Sequence, residues 1–247
     1  MRLDVALVAR GLARSRQHAQ ELIRAGVVTV EGNTAVKPSL PVSDEALVEA
    51  PFDGYVGRAA HKLAGALEDS GTKVAGRVLD AGAATGGFTQ VLLEAGASRV
   101  YAVDVGHDQL APAIRADDRV VVYEGLNIRE LTLEHLEGSL VDLVVADLSF
   151  ISLRLVVGQL VGVLKPGGTA LIMVKPQFEV GRRLLGPGGV VRDEGDRLAT
   201  VDGVSAAAAE LGWHEDWRGV SRLPGPAGNV EYFLRLRRGD ASRGALH

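Results

Sequence analysis

Apolar positions in the first part of the chain recur at helical spacing between glycines. Residues 3–10 and 16–25 therefore predict two helices. Gly11 can stop the first helix, Ser15 is suited to cap the start of the second, and Gly26 is suited to its C-cap. Both helices are short, so the unit that they help to form has a marginal core.

Strand and turn patterns follow the two helices. Residues 27–33 read as a short strand that enters a Gly-Asn turn, which predicts a hairpin. Pro38 and Pro51 then interrupt the pattern, as is typical of the exit from a domain. We therefore predict a small α+β domain over residues 1–50 and a linker over residues 51–60.

From about residue 75 onwards, strand and helix patterns alternate. Five predicted strands are almost continuously Val, Leu and Ala, which indicates burial on both faces and hence a parallel sheet covered by helices. Residues 228–238 alternate between apolar and polar positions and predict a strand at or near a sheet edge. The pattern predicts an α/β domain over residues 61–239, and we expect residues 240–247 to be disordered. The five apolar strands are predicted at 77–82, 99–106, 119–125, 141–150 and 169–175.

Composition narrows the class of protein. Hydrophobic residues make up 47% of the chain and charged residues 23%, which is ordinary for a soluble protein with a core. Cysteine is absent, which excludes disulfides and thiolate chemistry, and we expect no metal site. The start of the chain lacks the pattern of a signal peptide, and no apolar run is long enough to span a bilayer. A soluble cytoplasmic protein is therefore expected.

Charge is distributed unevenly along the chain. The net charge of −4 argues mildly against a nucleic-acid partner. The first thirty residues, however, contain five arginines against Asp4 and Glu21, so this segment is locally basic. Arg14 and Arg16 flank the predicted start of the second helix, a position suited to phosphate. A solvated basic helix face is the alternative interpretation.

A loop of small residues follows the first apolar strand and leads into a helix, with the sequence LDAGAATGGFTQ at 79–90. Such a turn lets a ligand lie against backbone N–H groups, and its glycine spacing is not that of a dinucleotide fingerprint. The loop resembles motif I of class I methyltransferases, which holds the methionine half of S-adenosylmethionine; a glycine-rich turn without a ligand is the alternative. The resemblance implies cofactor contacts from Asp80, Gly82, Ala84, Thr85, Gly86, Gly87 and Phe88.

Polar residues at the ends of the next two strands extend this candidate site. Asp104 lies 22 residues beyond Gly82, where a carboxylate can accept hydrogen bonds from both hydroxyls of a ribose, although it could equally cap a helix. Asn127 follows the third strand, where an adenine would lie. It could bind the adenine edge or cap the next helix.

Charged residues end two further apolar strands. Asp147 and Lys175 are predicted at the carboxyl ends of neighbouring strands, where ligands bind in open parallel sheets. A charge at such a position is costly unless it is paired or used. Lys62, on a predicted helix, and Glu231, at the start of the last strand, could each be an ordinary surface residue.

Taken in chain order, Lys62, Asp147, Lys175 and Glu231 resemble the catalytic tetrad of the FtsJ-like RNA 2′-O-ribose methyltransferases. A closer resemblance is to the haemolysin A type, in which an S4 RNA-binding domain precedes that catalytic domain. The resemblance covers about residues 2–237. Its motifs are RLDVALVARGLARSRQHAQELIRAGVVTVEG for the S4 module and then GYVGRAAHKL, LDAGAATGGFTQ, VADLSFISL and VKPQFEVG.

Two departures lie just before Lys62. Gly57 replaces a usual Ser, and Ala59 and Ala60 stand where the family usually has a pair of glycines. These departures leave every charged member of the tetrad in place. They therefore affect the expected shape of the backbone just before Lys62 and not the charged groups themselves.

The resemblance implies a fold, a cofactor and a substrate. The fold is a Rossmann-like class I methyltransferase with a mostly parallel sheet and an antiparallel last strand, preceded by a small α+β S4 domain. The cofactor is S-adenosylmethionine, Asp147 included among its contacts, and the substrate is a cytidine in 16S rRNA, 23S rRNA or both. RNA contacts are expected from Arg2, Arg14, Arg16, Arg24 and Arg58.

The resemblance also implies a role for each member of the tetrad. Lys175 would be the general base for the ribose 2′-hydroxyl, and Asp147 would orient it. Lys62 and Glu231 would position the hydroxyl and the ribose.

The sequence bears on three alternative functions. An NAD(P)-dependent oxidoreductase is disfavoured by the glycine spacing of the loop. A non-catalytic RNA-binding protein on a vestigial methyltransferase fold is disfavoured by the intact tetrad. A pore-forming haemolysin, which the family name suggests, lacks the support of an amphipathic membrane helix.

Overall fold

The computed structural model forms two compact units, Met1–Gly57 and Arg58–His247. The helix that carries Lys62 begins at Arg58, inside the segment predicted as linker. The predictions made for Gly11, Ser15 and the tail at 240–247 lie outside the described residues. The structure describes residues 1–10, 12–13, 16–50 and 54–239.

Two helices and a small sheet make up the first unit. Helices α1 (Leu3–Ala9) and α2 (Arg16–Arg24) lie within the predicted ranges. Gly26 follows α2 with a φ of 70°, which confirms its place at the helix C-terminus. The core of the unit is built from small and aliphatic side chains that are fully buried, among them Leu3, Ala6, Leu7, Ala19, Ile23 and Val28.

The sheet of the first unit has one strand more than the sequence predicts. Strand β1 (Thr29–Val30) pairs antiparallel with β2 (Asn33–Thr34), as the hairpin pattern predicts, and also with β3 (Val48–Glu49). Strand β3 is two residues long, too short to show a periodic pattern, and only its pairing with β1 identifies it as a strand.

The second unit is a sheet with helices on its faces. Its strands are rich in Val, Leu and Ala, and the strands Arg77–Ala81, Arg99–Asp104 and Val141–Ala146 are buried almost throughout, as is the stretch 170–174, as expected for parallel strands covered on both sides. Its elements are α3 (Arg58–Ser70), β4 (Arg77–Ala81), α4 (Gly87–Glu94), β5 (Arg99–Asp104), α5 (Pro112–Arg115), β6 (Val120–Glu124), β7 (Val141–Ala146), α6 (Val157–Gly162), β8 (Leu164–Val174), α7 (Pro176–Glu179), α8 (Glu194–Ala209), β9 (Trp213–Val220) and β10 (Tyr232–Arg238).

The seven strands are arranged in the order β6-β5-β4-β7-β8-β10-β9. Neighbours among β4 to β8 are parallel, and β10 is antiparallel to both β8 and β9. This confirms the α/β fold with an antiparallel last strand. The polypeptide leaves β4, β5, β7 and β8 at the same edge of the sheet, so the loops that follow these strands lie together.

Several strands differ from the sequence prediction: β8 begins at Leu164, five residues earlier than predicted, and β10 begins at Tyr232, four residues later than predicted. Strand β9 was not predicted, because its sequence WHEDWRGV is mostly polar; it forms the edge of the sheet. Strand β10 lies next to it, which confirms the prediction of a strand at or near a sheet edge. Strand β7 ends at Ala146, four residues earlier than predicted. Residues 147–150 therefore form a loop at the carboxyl edge. Within the described ranges, no helix combines the length and apolar character needed to cross a bilayer.

Candidate active site

A cavity of about 620 Å³ opens at the carboxyl edge of the sheet. It lies beyond the ends of β4, β5 and β7, where open parallel sheets bind ligands. Both apolar and polar side chains line the cavity. Its apolar lining includes Leu126 and Val105, and Val105 is 68% exposed. The residues predicted to bind cofactor that line this cavity are Gly82, Ala84, Asp104, Asn127 and Asp147.

Asp104 and Asn127, both predicted to contact the cofactor, also hold the surrounding backbone. Asp104 accepts hydrogen bonds from the N–H of Ala84 at 2.9 Å and from that of Gly106 at 2.7 Å. The carboxylate therefore fixes the loop after β4 against the end of β5. Asn127 accepts from the N–H of Arg129 at 3.1 Å and so caps a short 3₁₀ turn, while it also lines the cavity.

Gly82 allows two strand ends to approach closely. Its φ is +90°, and a Cβ at this position would lie 2.5 Å from the carbonyl oxygen of Asp147. Any side chain would therefore push the end of β7 away from the loop after β4. The glycine keeps the backbone that carries Asp147 beside the cavity.

Other residues of the loop support it from inside the protein. Asp80 is fully buried and accepts a hydrogen bond from the hydroxyl of Thr89 at 2.6 Å. Phe88 is buried and stacks on Phe233, with ring centroids 6.2 Å apart. Gly86 and Gly87 are also buried, and Thr85 is exposed. These residues shape the start of α4, on which the loop rests.

Burial dominates the electrostatics of Asp80. It raises the pKa of this carboxyl from an ordinary 3.8 to about 7, against the opposing effect of the Thr89 hydrogen bond. The negative charges of Asp147 and Asp104 raise it further. Carboxylate oxygen Oδ1 of Asp80 has no hydrogen-bond partner.

A second cavity of about 530 Å³ contains all four residues of the predicted tetrad. Lys62 comes from α3, Asp147 and Lys175 directly follow β7 and β8, and Glu231 directly precedes β10. Arg58, predicted to bind RNA, lines the same cavity. The residues common to both cavities are Asp147, Ser149, Phe150 and Lys175.

The tetrad is organised as two ion pairs. Lys62 Nζ donates to Glu231 Oε2 at 2.5 Å, and both side chains are more than nine-tenths buried. Lys175 Nζ lies 2.6 Å from Asp147 Oδ1 and donates to the hydroxyl of Ser149 at 2.8 Å. Pairing offsets the cost of removing these four charges from water. The carboxylates also fix the positions of the two ammonium groups.

Sequence reasoning missed an aromatic group beside Lys175. Phe150 is 91% exposed, and its φ of +63° is unusual for a residue with a side chain. Its ring centroid lies 5.1 Å from that of Phe178, and the latter ring lies 5.9 Å from Lys175 Nζ. The available signal was the position of Phe150 shortly after Asp147, but the predicted strand over 141–150 concealed it.

Basic residues of the first unit converge on one buried carboxylate. Asp4 accepts hydrogen bonds from Arg2 at 3.0 and 3.1 Å, from Arg16 at 3.3 Å and from Gln20 at 3.1 Å. The hydrogen bonds from Arg2, more than any other contact, hold the pKa of Asp4 well below its usual range. The arginine side chains remain 50% and 60% exposed. Arg24 is exposed and donates to Gln20 at 3.4 Å.

Asp4 thus anchors two solvent-facing guanidinium groups, those of Arg2 and Arg16. Arg14 lies outside the described residues.

The mostly parallel sheet, with its antiparallel last strand and a ligand cavity at the carboxyl edge, defines a Rossmann-like class I methyltransferase fold. Residues 55–238 match the family described as FtsJ-like methyltransferase, and residues 1–48 match the S4 domain. The chain belongs to the FtsJ-like methyltransferase family and carries an S4 domain before the catalytic domain. Membership in this family contradicts the NAD(P)-dependent oxidoreductase alternative.

Three relatives show how far the similarity extends. The 16S/23S rRNA (cytidine-2′-O)-methyltransferase TlyA of Mycobacterium tuberculosis is 55% identical over 96% of this chain and 89% of its own length. The 23S rRNA (cytidine-2′-O)-methyltransferase TlyA of Campylobacter jejuni is 36% identical over 72% of this chain and 69% of its own. A solved structure from Streptococcus thermophilus that carries a hemolysin name is 36% identical, covers 97% of this chain and 89% of its own, and has a TM-score of 0.77.

Replacement of Asp80 by Asn tests the electrostatics of the loop. Folding raises the pKa of this carboxyl, so its contribution to stability is complete below about pH 4 and is lost as the pH rises to about 7. Asn can still accept from Thr89 but does not titrate. We expect the wild-type protein to lose stability relative to Asp80→Asn between these pH values, measured by urea unfolding at each pH. Parallel stability curves would contradict the raised pKa.

Proposed function

We propose that this protein transfers a methyl group from S-adenosylmethionine to the 2′-hydroxyl of a cytidine in ribosomal RNA. The observation that carries the proposal is the junction of the two cavities at the ion pair of Asp147 and Lys175. A cofactor in the first cavity and a ribose in the second would meet at this pair. The names of the M. tuberculosis and C. jejuni relatives support the choice of reaction and substrate.

The first cavity suits S-adenosylmethionine in volume and chemistry. Its volume of about 620 Å³ lies within the range of small-molecule sites. Asp104 would accept hydrogen bonds from the ribose hydroxyls, and Asp147 would accept from the amine of the methionine part. Asn127 and the apolar side chains of Leu126 and Val105 would surround the adenine. When bound, the cofactor supplies a methyl group on a positively charged sulfur.

Lys175 is proposed as the general base. A ribose hydroxyl is a weak nucleophile and must lose its proton as its oxygen attacks carbon. As general base, Lys175 would first release its own proton to solvent and then take this one on Nζ, and the contact with Asp147 at 2.6 Å would stabilise the ammonium group that results. The hydroxyl of Ser149, at 2.8 Å, further limits the positions that Nζ can adopt.

The second ion pair is proposed to bind the ribose. Lys62 and Glu231 are almost fully buried at the base of the second cavity, so neither side chain is free to reorient. Lys62 would donate to the 2′-oxygen, and Glu231 would accept from a ribose hydroxyl. Such fixed partners hold the reacting oxygen in line with the methyl group, which supplies a large share of the rate of a transfer reaction.

Phe150 is proposed as the surface on which the target base stacks. Enzymes that act on a base-paired nucleotide often move it out of the helix and hold its base against an aromatic side chain. Phe150 is 91% exposed and lines both cavities. The Phe150 ring does not contribute to the core, although its backbone conformation is strained. A nucleobase stacked on the ring would remove its exposed apolar surface from water.

Recognition of the RNA is proposed to begin at the S4 domain. The guanidinium groups of Arg2 and Arg16 are oriented by Asp4 and face solvent, so they can bind phosphate oxygens without first losing much side-chain freedom. Arg24 would add to the same basic surface. Arg58, which lines the second cavity, would contact the RNA backbone near the target nucleotide.

Replacement of Lys175 by Ala tests the general base. We expect methyl transfer to rRNA to fall by about 10²–10⁴-fold while S-adenosylmethionine still binds, because the cofactor contacts remain. A tritiated-methyl assay and calorimetry give the two measurements. Lys165→Ala is the matched control, since Lys165 pairs with Asp142 at 2.8 Å at the opposite ends of the same two strands. Loss of cofactor binding together with activity would remove the support for a base.

Replacement of Phe150 by Ala tests the stacking surface. Loss of one stacked base contact corresponds to about 1–3 kcal/mol, so we expect kcat/KM for rRNA to fall by about 5- to 150-fold. Phe150→Trp should retain activity, and Leu155→Ala, at a side chain 62% exposed on the same segment, should leave it unchanged. Wild-type kinetics for Phe150→Ala would show that no base stacks there.

Replacement of Arg16 by Ala tests the S4 surface. If Arg16 binds a phosphate, the affinity for an rRNA fragment should fall, and the slope of log Kd against log salt concentration should decrease by about 1. Arg119→Ala in the catalytic unit serves as the control, because Arg119 is also an exposed arginine beside a carboxylate. Equal slopes for wild type and Arg16→Ala would exclude a phosphate contact.

A further inference from the structure

Glu179 is a buried carboxylate close to the active site that the mechanism above does not use. Only 1% of its side chain is exposed, although it lies at the end of a four-residue helix that begins just after Lys175. A buried charge requires partners. Among the residues that the structure describes, the partners of Glu179 all come from one other segment, the loop that follows Asp147.

Three groups of that loop bind the carboxylate. The hydroxyl of Ser152 donates to Oε2 at 2.6 Å, and the backbone N–H of Leu153 donates to Oε1 at 2.6 Å. Nε of Arg154 donates to Oε2 at 3.4 Å, and its terminal nitrogen donates to the backbone carbonyl of Glu179 at 3.0 Å. Both carboxylate oxygens are therefore used to hold residues 152–154.

These contacts complete a connection between the two active-site loops. Near the sheet, the loops are joined by Lys175 with Asp147 and Ser149. The ring contact between Phe150 and Phe178 also joins them. Glu179 adds a third attachment, to residues 152–154. Phe150 thus lies between two attached residues, Ser149 and Ser152, and its φ of +63° can persist only if the chain on both sides is held in place.

We infer that Glu179 is a positioning residue, which fixes the loop at 147–154 to the turn after Lys175 and so places Phe150 and Lys175 for the substrate. Glu179 touches neither substrate nor cofactor in this assignment and acts through Ser152 and Leu153. The inference rests on the proposed function where it refers to substrate. The attachment of the loop itself is a property of the protein alone.

Substitutions at position 179 separate the hydrogen bonds of the Glu179 side chain from its negative charge. Gln at position 179 keeps one oxygen for the N–H of Leu153, and its amide can donate to Ser152, whose hydroxyl can accept as well as donate. Ala at this position leaves the N–H of Leu153 without its partner. The shape of the site should therefore survive Glu179→Gln and be lost in Glu179→Ala.

Hydrogen exchange and kinetics of full-length variants test the inference. In Glu179→Ala, amide exchange in a peptide covering 148–155 should accelerate, and kcat/KM for rRNA should fall by on the order of 10²-fold, since small displacements of reacting groups have effects of this size. Glu179→Gln should stay within roughly threefold of wild type because its two main hydrogen bonds are retained. Ser152→Ala, which removes one partner only, should lie between these variants in exchange and in activity.

Asp142→Ala is the matched control for a loss of general stability. The Asp142 carboxylate also joins two chain segments, accepting from the N–H of Arg77 at 2.8 Å and from Lys165 at 2.8 and 2.9 Å, at the opposite ends of β7 and β8. All assays are run at a temperature where circular dichroism shows each variant folded. Asp142→Ala should lower the midpoint of thermal unfolding without accelerating exchange at 148–155 or reducing kcat.

Two results would overturn the inference. One is wild-type exchange at 148–155 in both Glu179→Ala and Ser152→Ala. The other is an equal loss of activity in Asp142→Ala and Glu179→Ala, which would assign the effect to stability alone. If the wild-type protein fails to methylate rRNA, the proposed function fails, while the exchange experiment still decides whether Glu179 holds the loop.

Discussion

The contact between Lys175 and Asp147 depends on the parallel pairing of β7 with β8. In this pairing Ala146 lies opposite Ile172, so the two strands end at the same edge of the sheet. Asp147 follows the first strand directly, and its backbone N–H donates to the carbonyl of Ala81 at the end of β4. The carboxylate is therefore fixed by the sheet. Lys175, three residues beyond Ile172, has a side chain long enough to reach it.

The position of this ion pair organises the chemistry around it. Because its residues line both cavities, a ligand in either cavity lies beside the same two charges. The second pair, Lys62 with Glu231, joins α3 to the residue just before β10 across 169 residues of sequence. Removal of one partner would leave the other charge without compensation in a site with little access to water, so the loss of either residue of a pair should destabilise the fold.

In the S4 domain, too, a carboxylate holds cationic side chains in place. Asp4 is buried, and its charge is balanced by Arg2 and Arg16, whose side chains continue into solvent. In the catalytic domain, carboxylates that are buried or largely buried orient ammonium groups that line a cavity. In the S4 domain, a buried carboxylate orients exposed guanidinium groups, which suits the binding of an extended polyanion.

Much of the architecture was determined by local sequence. Apolar strands alternating with helices require a covered parallel sheet, and a charge that ends a buried strand must lie at the sheet edge, so the neighbourhood of Asp147 and Lys175 could be predicted. The polar edge strand Trp213–Val220 could not, because its pairing with β10 rather than its own pattern makes it a strand.

Tertiary structure alone decided the finer arrangement of the site. Only the folded structure shows that Lys62 pairs with Glu231 and that the side chains of Asp80 and Phe88 are buried. It also shows that β7 ends at Ala146, which leaves Phe150 exposed in the loop that follows. Each of these outcomes depends on contacts between segments distant in sequence. A local pattern records which residues are apolar or charged, but the partner of a buried charge is set by the packing of the whole domain.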